Sequence, residues 1–306
     1  MKKKRTSFLT VTAMLFAVLA IVFSGCDNGT TGGGGGSKTY NVTIGSSANG
    51  SATASPNSGI KAGATVTLTA TPDGGYRLDE FTASPSAGVT FTSTGTNTAT
   101  FIMPGNDVTI TTSFVVYTIG ETGPGGGIIF YVAPAGFTVE ASPAGTPTAN
   151  QWTAYTAHCL EAWHTNETNC EWGNVAISTE TGISSWGNQS EKDAGLAASI
   201  GSGRRDTQII VSHMNNNSIT DTAAQRAITT KGGLSDWFLP SLGELNEFYK
   251  LKGQEGIPQA DIPQSGFLWS SSQINSSSAW AQAFLDGSHS ENHKSNVRTA
   301  RAIRAF

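Results

Sequence analysis

The sequence predicts an α+β protein in which strands outnumber helices. Three observations lead there. Apolar and β-branched residues alternate with polar ones along three stretches between Tyr40 and Val116, which is the period of a half-buried strand. In the last third, short apolar segments such as Phe267-Leu268-Trp269 and Ala279-Trp280-Ala281 frame runs of Ser, Asn, Asp and His, as rigid strands frame loops. Helix N-cap signals are few and all lie after residue 200. A charged fraction of 13% over 306 residues, with 36 glycines, suits an exported β-rich chain better than a cytosolic enzyme.

The chain opens on Met1-Lys2-Lys3-Lys4-Arg5, a basic start, followed by Phe8 to Phe23, an apolar run too short for a stable spanning helix. Residues 1–25 are therefore expected to be an export signal. Cys26, in Phe23-Ser24-Gly25-Cys26, sits where a signal peptidase would cut. The stretch resembles the lipobox of bacterial lipoproteins, with Phe23 in the place usually held by Leu. That resemblance implies lipidation of Cys26 and an anchor in the bacterial cell envelope; the outer membrane or cell surface is expected ahead of the inner membrane, where Asp27 after the cysteine retains lipoproteins in some bacteria. Lipidation also accounts for an odd cysteine count and leaves Cys159 and Cys170. In an oxidising compartment these two are expected to form a disulfide, with two free thiols as the alternative. Removing residues 1–25 takes away four cations and no anion, so 14 basic residues face 22 acidic ones and the formal net charge falls from −4 to −8. Such an acidic chain is a poor nucleic-acid binder.

Residues 26–39 contain Gly32 to Gly36 in one run and almost nothing apolar, the composition of a flexible linker. Residues 40–116 then carry the strand signals Tyr40-Asn41-Val42-Thr43-Ile44, Ala64 to Ala70 and Asp107 to Phe114, with Pro72-Asp73-Gly74-Gly75 as a turn. The series Ala62 to Pro72, Gly75-Tyr76-Arg77-Leu78, Thr100-Phe101-Ile102-Met103-Pro104 and Val108-Thr109-Ile110 resembles the bacterial InlB B-repeat, a small all-β spacer of surface proteins.

Residues 117–306 make the third region. Its opening, Ile119 to Val132, is rich in glycine, but no Gly-Lys-Ser/Thr follows and the run leads into a strand, so a turn feeding a buried strand is expected rather than a phosphate loop. Ser241-Leu242-Gly243-Glu244 is a capping box ahead of Leu242, Leu245, Phe248 and Tyr249. Asp206 and Asp221 are read as the N-caps of two further helices. Taken together, Ser235-Asp236-Trp237-Phe238-Leu239-Pro240-Ser241, Glu244-Leu245-Asn246, Trp269-Ser270-Ser271-Ser272 and Arg301 to Phe306 resemble the DUF1566 family, also called the Lcl C-terminal domain. The resemblance implies a C-type-lectin-like fold with paired terminal strands, and a ligand-binding role on bacterial envelope lipoproteins. It does not carry over the calcium motifs of sugar-binding C-type lectins, which are missing from Trp269 to Asn296. Nor does it carry over formylglycine-generating activity, because no cysteine follows Cys170.

The ligand surface is expected in the polar loops, at Asn275, Ser277, Asp286, Ser288, His289, Glu291, Asn292 and His293, whose side chains offer donors and acceptors on a rigid frame. His289 and His293 are read as lying in a loop. Trp237, Trp269 and Trp280 sit in apolar motifs and are read as core residues. The expected function is non-catalytic binding of an extracellular glycan or protein ligand, with no cofactor and no metal. Two alternatives stand beside it: a surface on the same fold diversified by a retroelement at Asn-derived codons, and a metal-dependent enzyme using His289, His293, Asp286 and Glu291.

Overall fold

A computed structural model describes residues 38–173 and 199–306. The expected export signal, Cys26 and the expected linker up to Ser37 lie outside the described residues. Among the described residues strand makes up 41% and helix 14%, which corrects the α+β, C-type-lectin-like expectation: these residues are mainly β. The reason is local, since β-branched and hydroxyl side chains fill the extended segments and, among the described residues, only three segments form α-helices.

In the first region the strands are β1 (Thr39–Tyr40), β2 (Val42–Ile44), β3 (Gly50–Ser55), β4 (Ile60–Lys61), β5 (Thr65–Pro72), β6 (Tyr76–Ser84), β7 (Thr92–Gly95), β8 (Thr98–Ile102) and β9 (Val108–Val116). They form a β3-β5-β8-β7 sheet, a β2-β9-β6 sheet and a short β1-β4 pair. Alternation sends Val66, Leu68 and Ala70 of β5 and Val108, Ile110 and Phe114 of β9 inward, onto one core shared with Phe81, Phe101 and Met103. The predicted turn is present, with Tyr76 N donating to Asp73 O at 3.0 Å.

Next come β10 (Ile128–Val139), β11 (Tyr155–Ala162), β12 (Glu167–Cys170), α1 (Gly203–Asn216), α2 (Ala223–Ala227), α3 (Leu242–Tyr249), β13 (Phe267–Gln273), β14 (Ser278–Ala283), β15 (His289–His293), β16 (Arg298–Ala300) and β17 (Ile303–Ala305). One sheet runs β10-β11-β17 and another β12-β16-β13-β14-β15. The opening strand β10 does not pair with the last strand, as the lectin-like expectation required. Instead β11 lies between them, with Leu160 opposite Ala305.

The Ser241 cap forms as the sequence predicts. Ser241 Oγ accepts from Glu244 N at 3.2 Å, and the Glu244 carboxylate accepts from Ser241 N at 2.7 Å. Leu245 and Phe248 of α3 then pack with Phe130, Leu160, Phe284 and Ile303 in one core, each such buried side chain contributing about 1.5–3 kcal/mol. A second core gathers Trp172, Ile210, Met214, Trp237 and Trp269 between α1, α2 and the five-stranded sheet. The other two caps differ from expectation. Helix α1 starts earlier, with Ser202 as N-cap and Asp206 buried in its first turn. For α2, Thr222 closes a capping box with Gln225, while Asp221, at a φ of 69°, binds Arg226 through both carboxylate oxygens at 2.6 Å.

Candidate functional site

The polar segments predicted to carry recognition flank the β14–β15 hairpin. All six residues of β14 are buried, as are all those of β13 after Phe267, so the hairpin rests on a packed strand. His289 to His293 form the edge strand β15 instead of a loop. Cross-strand pairing with β14, from Gln282↔His289 to Ser278↔His293, supplies ladder bonds that short polar side chains do not forbid. Two-residue periodicity then puts His289, Glu291 and His293 on one face, and Ser290 and Asn292 on the other. Glu291 and His293 are exposed, whereas Asn292 is buried.

The remaining predicted residues separate into two groups at opposite ends of the hairpin. At one end Asn275 Oδ1 accepts from Ser277 N at 2.9 Å, Ser277 Oγ at 3.0 Å and Ser278 N at 2.9 Å. At the other, Asp286 Oδ1 accepts from Ser288 N at 3.0 Å and Ser288 Oγ at 2.8 Å, bonds that hold the Asp286 carboxyl below its usual range. Five residues of strand place these ends about 15 Å apart. Asn275 and Asp286 thus shape turns, and Asn292 Oδ1 takes Arg298 Nε at 3.0 Å and Nη2 at 2.8 Å. Among the described residues no three His, Cys, Asp or Glu converge as a metal site.

Behind the hairpin is a residue the sequence reading missed. Lys294 is fully buried, with its Nζ 4.4 Å from the centre of the Trp172 ring and 3.0 Å from Gln273 Oε1. Burial pulls its pKa down to about 8. No periodicity marks a lysine for burial next to a Ser-Asn run, so only the fold reveals it.

The expected Cys159–Cys170 disulfide is corrected: both are buried free thiols. Cys159 packs with Tyr117 and Ile129 behind β11, and Cys170 with Trp172 in the other core, so separate clusters hold them. Burial pushes the Cys159 thiol up to about 12 and the Cys170 thiol up to about 11, leaving both unreactive at neutral pH. Trp237, Trp269 and Trp280 are core residues, at 2%, 0% and 7% exposure. Arg298, Arg301 and Arg304, in and between the last two strands, are committed internally: Arg298 to Asn292, Arg301 to Asn166 and the Trp163 carbonyl, and Arg304 to Asp236 and Glu161.

The glycine-rich opening does hold a carboxyl group, and it belongs to the protein. Gly125 N and Gly127 N donate to the buried Glu161 carboxylate at 3.0 and 3.2 Å, and Arg304 Nη1 donates to it at 3.0 Å. A Cβ on Gly127 would run into the Ala162 carbonyl. Arg304 Nε continues to Asp236 Oδ1 at 2.6 Å, which brings the chain of charges to the lining of a cleft of about 310 Å³. The cleft lies between Ala149 to Trp152, one face of α1 at Arg204, Thr207 and Gln208, and Ser235 to Phe238. The Arg204 guanidinium stacks 4.3 Å over the Trp152 ring and donates to Tyr155 Oη at 3.1 Å.

Residues 40–117 match the family described as the divergent InlB B-repeat domain. No curated protein matches the chain. Among solved structures, the crystal structure of a fimbrial protein from Bacteroides ovatus is similar at 13% identity over 88% of this chain and 69% of that one, with a TM-score of 0.38, too distant to inform on fold or function. The family match supports the B-repeat reading of the first region, and it stops where the glycine-rich opening begins.

Proposed function

We propose that this chain is an envelope-anchored lipoprotein, lipidated at Cys26, whose B-repeat module carries a non-catalytic, adhesin-like binding region over residues 117–306. The DUF1566-like segments and the lipobox-like sequence support the reading, as does the B-repeat match at residues 40–117. The observation that carries the binding part is the hairpin: strands β13 and β14 are buried almost throughout, while Ser288, Glu291 and His293 stand exposed beside them. A recognition surface needs this separation between a packed support and solvent-exposed polar groups. The ligand is an extracellular glycan or protein. A retroelement-diversified surface is not adopted, because Asn275 and Asn292 hold framework bonds that free variation would break.

Two measurements test it. Replacing Ser288, Glu291 and His293 together by Ala is expected to abolish binding of the full chain on a glycan and matrix-protein array while leaving its thermal midpoint unchanged, and equal binding by both chains removes the hairpin assignment. Cys26→Ala is expected to move the protein out of the membrane fraction; retention there removes the anchor.

A further inference from the structure

The cleft beside Arg204 belongs neither to the hairpin nor to the spacer. Its volume of about 310 Å³ lies at the small end of ligand pockets, enough for one small molecule. Two of its lining residues are charged, Arg204 and Asp236, and they do not neutralise each other. Arg204 spends its contacts on the Trp152 and Tyr155 rings and on Tyr155 Oη. Asp236 gives Oδ1 to Arg304 and is 29% exposed. The stacked guanidinium is fixed in orientation with one of its five N–H groups engaged, the preorganised fork that suits a carboxylate. The second Asp236 oxygen is an acceptor for a cation or N–H donor. Gln208 donates to Ser212 Oγ at 3.1 Å, which leaves its carbonyl oxygen as a further acceptor. Ile228, Trp237 and Phe238 supply apolar wall.

We propose that this cleft binds a small zwitterion of the α-amino-acid class, its carboxylate on Arg204, its ammonium on Asp236 and its side chain along Ile228, Trp237 and Phe238. Asp236 is already paired through Oδ1 with Arg304, so a singly charged ligand would use only one of the two polar walls, the Arg204 fork or the second Asp236 oxygen, and forgo the hydrogen bonds of the other. A zwitterion matches both. This site is distinct from the proposed hairpin surface and stands or falls without it.

Titration calorimetry on the full chain tests the assignment with glycine, L-leucine, L-glutamate and L-lysine, and with L-leucinamide and 4-methylpentanoate as probes lacking the carboxylate and the ammonium. Saturable binding of at least one amino acid in the millimolar range or tighter is expected. For L-leucine, either truncated probe should bind at least about tenfold more weakly. Arg204→Met and Asp236→Asn should each weaken amino-acid binding by about tenfold. Should Arg204→Met fail to fold, Arg204→Lys is read in its place, because it keeps the charge and loses the planar fork. No heat from any of the four amino acids overturns the proposal, as does leucinamide binding as tightly as leucine, or a folded Arg204 variant that binds normally.

Discussion

Glu244 shows how one side chain serves two elements. It is fully buried, and its carboxylate accepts from Ser241 N at the start of α3 and from Gly201 N at 2.8 Å, just before α1. Burial pushes its pKa from 4.5 up to about 7, against the downward pull of those N–H donors. A carboxyl raised in this way holds its proton more tightly in the folded state than in the unfolded chain. Its contribution to stability is therefore greatest in acid, declines as pH rises from about 4.5 to about 7, and is flat above that. In urea unfolding, the stability of the wild type relative to Glu244→Gln should fall between pH 5 and pH 7 by at most about 1.4 kcal/mol per pH unit. A difference that does not change with pH would show that the N–H donors, rather than burial, set the proton affinity. Glu161 is another buried carboxylate with a structural task, closing the glycine loop that its composition alone made resemble a phosphate site.

At the scale of the element, β15 divides structure from surface by alternation. Asn292 points to the side where Arg298 forks onto its oxygen, while Glu291 is exposed on the other face. Asn292→Ala should cost about 1–3 kcal/mol, because it removes the oxygen that accepts from Arg298 Nε and Nη2. Glu291→Ala should stay within about 0.5 kcal/mol. Chemical denaturation of the two variants checks the contrast, and similar costs would contradict the assignment of faces. The same strand shows what the sequence could reveal. Period two is legible in β5 and β9 because their apolar residues face a core, and the capping box of α3 is legible because its partners are three residues apart. In β15 every residue is polar, so no hydrophobic alternation marks the strand, and its pairing with β14 is decided by tertiary context. The cleft was hidden for a related reason: Trp152, Arg204 and Asp236 are far apart in sequence, and none belongs to a local pattern. The lectin-like expectation failed at strand order, which local motifs do not encode.

Across the whole molecule, the B-repeat module joins the C-terminal region without a spacer. Strand β9 ends at Val116, and the next residue, Tyr117, is buried against Ile129 and Cys159, with its ring 5.4 Å from that of Phe306. Tyr117 N donates to Gly75 O at 3.0 Å, and the turn around Gly75, at a φ of 80°, sits on His158, where an added Cβ would come within 2.7 Å of the His158 side chain. Arg77 reaches across to Glu121 at 2.9 Å. These contacts differ in weight. The Arg77–Glu121 pair is 36% and 30% exposed, so solvent screens it and Arg77→Ala should cost no more than about 1 kcal/mol. Tyr117→Ala removes a buried ring shared by the junction and the C-terminal core, and should cost about 3 kcal/mol. If the junction couples the two regions, calorimetry of the wild type should give one endotherm, Arg77→Ala should preserve it, and Tyr117→Ala should split it so that the C-terminal region melts first. Two separate endotherms in the wild type would mean that the B-repeat module and the C-terminal region are held together by the chain alone, and that the buried tyrosine stabilises only the side on which it packs.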